Sequence, residues 1–116
     1  MLERVREVCL FLPGTSERLS HGQPTFFVGK KTFVMYLDNH HDDGRLALWC
    51  AAPAGMQEAL VAGEPEHYVR PPYVGHRGWV GVRLDRGLDF NEIAGAIEDA
   101  YCVVAPKRLV ASLTQR

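Results

Sequence analysis

YVRPPYVGHRGWVGVRLD, residues 68–85, is the stretch whose reading decides the fold. Its second half alternates without a break. Val80, Val82 and Leu84 point to one side of an extended chain, and Trp79, Gly81, Arg83 and Asp85 to the other. An all-aliphatic side is a core side, so residues 79–85 are predicted as a strand lying on a hydrophobic layer. Ahead of it, Pro71 and Pro72 cannot donate to a sheet ladder, so the short strand 68–70 stops there, as suits a sheet edge. Between the two strands, Gly75-His76-Arg77-Gly78 forms a glycine-bracketed basic turn.

Working outward, residues 25–28 and 31–37 read as a β-hairpin turning at Gly29-Lys30. The returning strand is apolar on both sides, with Phe33, Met35 and Leu37 on one and Val34 and Tyr36 on the other, which suggests a central strand. A polar run, 38–44, ends in Asp-Gly, and residues 45–50 form a third strand. Residues 2–11 have helical apolar spacing, closed by Pro13-Gly14. Thr15 or Ser16 is expected to cap a single turn through Leu19. Pro53 suits the first turn of a helix that Gly63 and Pro65 close. Asp89, with Glu92 three residues on, has the spacing of a capping box. Phe90, Ile93, Ala94, Ile97, Tyr101 and Val104 form the apolar face of the following helix, Pro106 breaks it, and residues 107–113 resume as a short basic helix. Helix, three strands, helix, two strands, helix, all joined by short turns, implies a single α+β domain over residues 1–116. It is a two-layer sandwich, an antiparallel β-sheet with helices packed on one face. The opposite face stays partly open, and strand parity is expected to place Tyr36, Arg45, Trp49, Trp79 and Arg83 there.

The bulk composition narrows the function. Apolar residues are 47% of the chain and charged residues 23%, as in an ordinary globular domain. A net charge of -1 is not that of a uniformly basic nucleic-acid binder, so such a role needs a local patch. Cys9, Cys50 and Cys102 are widely spaced, with neither a C-x-x-C nor a zinc spacing, and read as reduced, mostly buried thiols. No apolar run approaches the ~20 residues of a membrane span, and MLERVREV is amphipathic rather than a secretory leader. A cytoplasmic location is expected, with no membrane partner.

Three stretches resemble the MmcQ/YjbR family: LPGTSERLSHGQPTFFVGKKTFVMY at 12–36, RPPYVGHRGWVGVRLD at 70–85 and IEDAYCVVAPKRLV at 97–110. The resemblance covers nearly the whole chain in order. It implies a two-layer domain similar in fold to the frataxin/CyaY proteins, and a DNA-binding role attributed to wing-like surfaces. It brings no catalytic residues. Many relatives have Asn-Lys-x-x-Trp before the last strand; here Gly75-His76-Arg77-Gly78-Trp79 keeps the Trp and one cation and loses the Asn.

Two residue sets are candidates for binding. Lys30, Lys31, His76, Arg77, Arg83, Lys107 and Arg108, with Arg70 and Arg86 nearby in sequence, are expected to gather at a rim of the sheet and hold DNA phosphates. Alternatively, Arg45, Trp49, Trp79 and Arg83 on the open face stack a small ligand or receive a protein partner. His40-His41-Asp42-Asp43 looks like a metal site only at first sight, because adjacent His side chains on an extended chain point apart. No metal or cofactor is expected. Ser20-His21 and Thr15-Ser16 lack a nucleophile-elbow setting, so no catalytic residue is assigned. An exposed strand edge leaves monomer or homodimer open.

Overall fold

The computed structural model describes residues 1–113, apart from the His41 side chain. Its elements are α1 (Leu2–Phe11), β1 (Thr15–Ser20), β2 (Gln23–Val28), β3 (Lys31–Asp38), β4 (Leu46–Cys50), α2 (Met56–Gly63), β5 (Tyr68–Val69), β6 (Val80–Arg83), α3 (Phe90–Val104) and α4 (Lys107–Leu113), with single 3-10 turns at His40–Asp42 and Gly75–Arg77. The strands form one sheet in the order β1-β2-β3-β4-β6-β5, and every neighbouring pair is antiparallel. The α+β two-layer architecture is as expected, and β5 does lie at a sheet edge.

Four local expectations are corrected. The predicted helical turn at 15–19 is a strand, β1, paired with β2 from Thr15 opposite Val28 to Ser20 opposite Gln23. The hairpin between them turns on His21 and Gly22, both at positive φ (51° and 78°), as a two-residue turn matching strand twist requires. Glu17 then reaches from β1 to α1, where its carboxylate takes two hydrogen bonds from the Arg6 guanidinium, 2.6 and 2.8 Å. These bonds hold Glu17 below the usual carboxylate range. Second, α2 starts at Met56 rather than at Pro53. The intervening residues turn instead, with Met56 N–H donating to the Pro53 carbonyl and Gly55 at φ +84°. Third, β6 stops at Arg83, short of the predicted 79–85. Fourth, β3 does not alternate simply. Phe26 pairs with Val34 but Phe27 with Thr32, so Phe33 is an extra residue in a bulge. It is fully buried, and its ring meets Tyr101 of α3 edge-on at 5.9 Å.

The core lies between the sheet and the layer of α1, α2 and α3. The register places Val34, Leu48 and Val82 on one sheet face, all fully buried. Ile93, Ile97, Ala100 and Tyr101 of α3 are fully buried too. The helix begins with the Asp89 carboxylate accepting from Asn91 N–H at 3.0 Å. Tyr36 stands opposite Leu48 and so belongs to the buried face, not to the open face with Trp49 as parity first suggested. Burial pushes the Cys50 thiol up to about 12, and the Cys9 thiol upward as well. Cys102, by contrast, is exposed on α3, so two of the three thiols are buried, in line with the reading of mostly buried thiols. Only the thiolate is nucleophilic. A thiol reagent added to the native protein should therefore label one cysteine, and three after denaturation. Peptide mapping that finds Cys9 or Cys50 labelled natively would contradict this packing.

Candidate functional site

The strand register sorts the loops into two ends of the sheet. At one end lie the start of β1, the β2–β3 turn, the end of β4, the end of β5 and the start of β6. The last residues of α3 and the whole of α4 join this end. Tyr101 Oη donates to the Pro13 carbonyl at 2.6 Å, and a Cβ placed on Gly14 would come within 2.9 Å of Leu109 of α4. The segments gathered there bring Lys30, Lys31, Arg70, His76, Arg77, Lys107 and Arg108, all exposed. Among the described residues, segments 12–16, 28–33, 50–57, 70–79 and 105–113 contain no Asp or Glu. The other end is the reverse: Asp38, Asp42, Asp43, Glu64, Glu66, Asp85 and Asp89 stand in its loops and strand ends, against Arg45, Arg83 and Arg86. A chain of net charge -1 thus has its charge divided along the strand axis.

Six of the seven predicted phosphate-binding residues share the cationic end; Arg83 does not. It ends β6 opposite Ala47, at the acidic end, and is 8% exposed. Its guanidinium donates to both carboxylate oxygens of Asp85, at 2.9 and 3.2 Å. The same bonds hold Asp85 below the usual carboxylate range, helped by the Leu46 N–H. Since the folded pKa is depressed, this stabilisation is present above the unfolded carboxylate pKa and fades as pH falls through the folded one. Asp85→Asn should cost about 1–3 kcal/mol at neutral pH, by leaving a buried guanidinium short of its partner. Urea denaturation should show that cost shrinking in acid; an equal cost at all pH values would contradict the pairing.

Gln57 holds the basic turn in place, a role no sequence pattern announced. It is 3% exposed on α2, and its Nε2 donates to the carbonyls of Gly75 (2.8 Å) and Trp79 (2.5 Å). Its Oε1 accepts from Arg70 at 3.3 Å. One amide thus ties both ends of the Gly75–Arg77 turn and a neighbouring cation to the helix layer. Arg77 lies 5.2 Å over the Trp79 ring, within cation–π range. Trp79 itself is 3% exposed, so it supports the turn from below and is no stacking platform.

The open face is divided differently from its expected membership. Trp49 pairs with Met35 and Gly81, and Met35 with Thr25. Trp49, Met35 and Thr25 border a cleft of about 610 Å³, lined also by Ser20, His21, Gln23, Leu37, His40, Tyr73 and Val74. The 70–74 segment folds over the sheet to supply Tyr73 and Val74. His40 meets the Trp49 ring edge-on at 5.3 Å. Of the predicted ligand set only Trp49 lines the cleft; Arg45, Trp79 and Arg83 do not. The His40-His41 pair sits on a 3-10 turn, and the His41 side chain lies outside the described residues. A separate trio, Glu64, Glu66 and His67, is close together. It is accounted for within the chain, where the His67 ring contacts Glu64 and the Arg86 carbonyl.

No described helix is long and apolar enough to cross a membrane. The sequence model of the YjbR family matches residues 10–103. The crystal structure of Deinococcus radiodurans protein DR2400, which has a DUF419 domain, superposes with a TM-score of 0.75 at 19% identity, over 89% of this chain and 77% of that one. At that identity the likeness shows the fold alone. No curated protein sequence matches.

Proposed function

The chain belongs to the YjbR family, and from that premise we propose that it is a DNA-binding module with no catalysis of its own. It holds phosphates through Lys30 and Lys31, the His76 and Arg77 turn, and Lys107 and Arg108 at the start of α4. The observation that supports this reading most is the cationic end, where loops from distant parts of the sequence contribute cations and segments 28–33, 70–79 and 105–113 carry no Asp or Glu, although Asp99 of α3 lies beside Ala51 and Pro53 there. Phosphate binding rewards that arrangement, because clustered cations displace condensed counterions together. Cations on short turns of a rigid sheet can reach a duplex backbone while the acidic end faces away. Contacts of this kind position the protein and carry little sequence information. Reduced thiols at Cys9, Cys50 and Cys102 agree with a cytoplasmic site of action.

Fluorescence anisotropy with labelled duplexes of unrelated sequence tests the reading. About four phosphate contacts give a slope of roughly -3.6 in log affinity against log salt. Affinities for different sequences should agree within about threefold at any one salt concentration. Absence of binding at low salt, or a slope near zero, refutes the proposal.

A further inference from the structure

The helix layer leaves a gap over the sheet. α3 packs against α1 on one flank, while its other flank faces α2 across a groove of about 320 Å³. We propose that this groove binds an aliphatic diamine or polyamine, with its alkyl chain on the apolar lining and its ammonium groups at Glu92 and Asp99.

Tyr68 marks the groove as a site. It is 3% exposed and lines the groove, yet its hydroxyl has no hydrogen bond among the described residues. No sealed polar side-chain atom among those residues lacks a partner, so the Tyr68 oxygen opens onto the groove. A buried tyrosine hydroxyl ordinarily finds a partner, and here the partner has to come from the groove. Burial first, then the carboxylates of Glu64 and Glu92, push the phenol pKa up. The hydroxyl is therefore neutral and stands near Glu92, and its oxygen can accept from an ammonium N–H.

Gly95 points to the same place. It lies inside α3 on the groove wall, where glycine is the poorest helix former after proline. A Cβ placed on it meets nothing within 4 Å. Packing within the chain does not require a glycine there. What its missing side chain does is keep the groove clear, so that a chain can lie along the helix.

Charge sets the class of ligand. Glu92 and Asp99 are exposed and line the groove from α3. Neither has an ion pair among the described residues, and no Lys, Arg or His is among the lining residues. Such a surface draws a cation and repels an anion. The two carboxylates are seven residues apart on one helix, roughly 10.5 Å along its axis. That is too far to hold one metal ion, whose oxygen ligands stand within about 2.6 Å of it. Two cationic groups joined by a spacer fit the spacing instead. Met56 and Leu60 of α2 and Val80 of β6 supply the apolar surface, on which an alkyl chain lies with its charged ends still in water.

Isotope-labelled full-length protein titrated with diaminooctane and spermidine, and separately with octylamine and octanedioate, in about 0.15 M salt tests this. Diaminooctane or spermidine should saturate at a dissociation constant below about 1 mM, with amide shifts grouped on Ala51, Leu60, Tyr68 and Gly95. Octylamine, with one charged end, should bind at least about fivefold more weakly, and the dianion should not bind. Gly95→Leu, which fills the groove, should weaken diamine binding about tenfold or more with the thermal midpoint unchanged or raised. Tyr68→Phe should weaken it about threefold without destabilising the free protein, because the hydroxyl has no bond to lose within the described chain. Four outcomes would each overturn the proposal: no groove shifts with either polyamine, octylamine binding as tightly as the diamine, full binding by Gly95→Leu, or a Tyr68→Phe protein that loses stability and keeps its affinity. None of them bears on DNA affinity, which the anisotropy measurement reads separately.

Discussion

Replacing Lys30 and Arg77 together by glutamate is expected to lower affinity for duplex DNA on the order of 100-fold, and to flatten the salt slope by about two. Both residues are exposed, on the β2–β3 turn and on the Gly75–Arg77 turn. Neither holds the core, so the thermal midpoint should move little. The loss should be nearly equal for every sequence, since phosphate contacts are what is removed. Arg45→Glu with Arg86→Glu is the matched control. It changes net charge equally, but at the acidic end of the sheet. If both pairs weaken binding alike, the effect belongs to total charge and the cationic end is not the interface. If neither does, DNA is held elsewhere or not at all.

Gln57→Leu should give the largest loss of stability among single substitutions considered, about 2–4 kcal/mol. The side chain keeps its volume, but the carbonyls of Gly75 and Trp79 lose their buried donor and Arg70 loses an acceptor. A buried carbonyl stripped of its partner costs its full desolvation, whereas the bond itself is worth less in net terms. The change should also loosen the turn that presents His76 and Arg77. Faster amide exchange from Gly75 to Trp79 than from β2 and β3 would mark that local release. DNA affinity should fall by a few-fold under conditions where the protein remains folded. A Gln57→Leu protein of unchanged stability would mean that the turn is held by something other than this amide. Gln57→Glu is a useful companion, since it keeps the shape and sets a carboxylate against two carbonyls.

The elements were largely legible in the chain because their signals are local. Alternation at Val80, Val82 and Leu84 marked a strand, Asp89 marked a helix start, and Gly29-Lys30 marked a hairpin. The one missed strand, β1, shows where locality fails. TSERLS has no aliphatic stripe, because an edge strand with exposed Ser16, Arg18 and Leu19 buries little of itself. Its clue was His21-Gly22, which needed a His in the left-handed region to be read as a turn. Phe33 misled for a related reason: a bulge adds a residue that a period of two cannot anticipate.

The sites divide in the same way. Which residues are cations, and that no carboxylate lies near Lys30 or Lys107 in sequence, was written in the chain. That Lys30, Arg77 and Lys107 share an end of the sheet, while Arg83 turns away to Asp85, depended on strand order and register. Gln57 and the Tyr73 cleft depended on tertiary structure alone. A buried amide bridging two carbonyls and a loop folded across a sheet are contacts between distant segments, and no periodicity within either segment encodes them. Local periodicity sets what each segment becomes; long-range pairing sets which side chains meet, and binding chemistry arises from the latter.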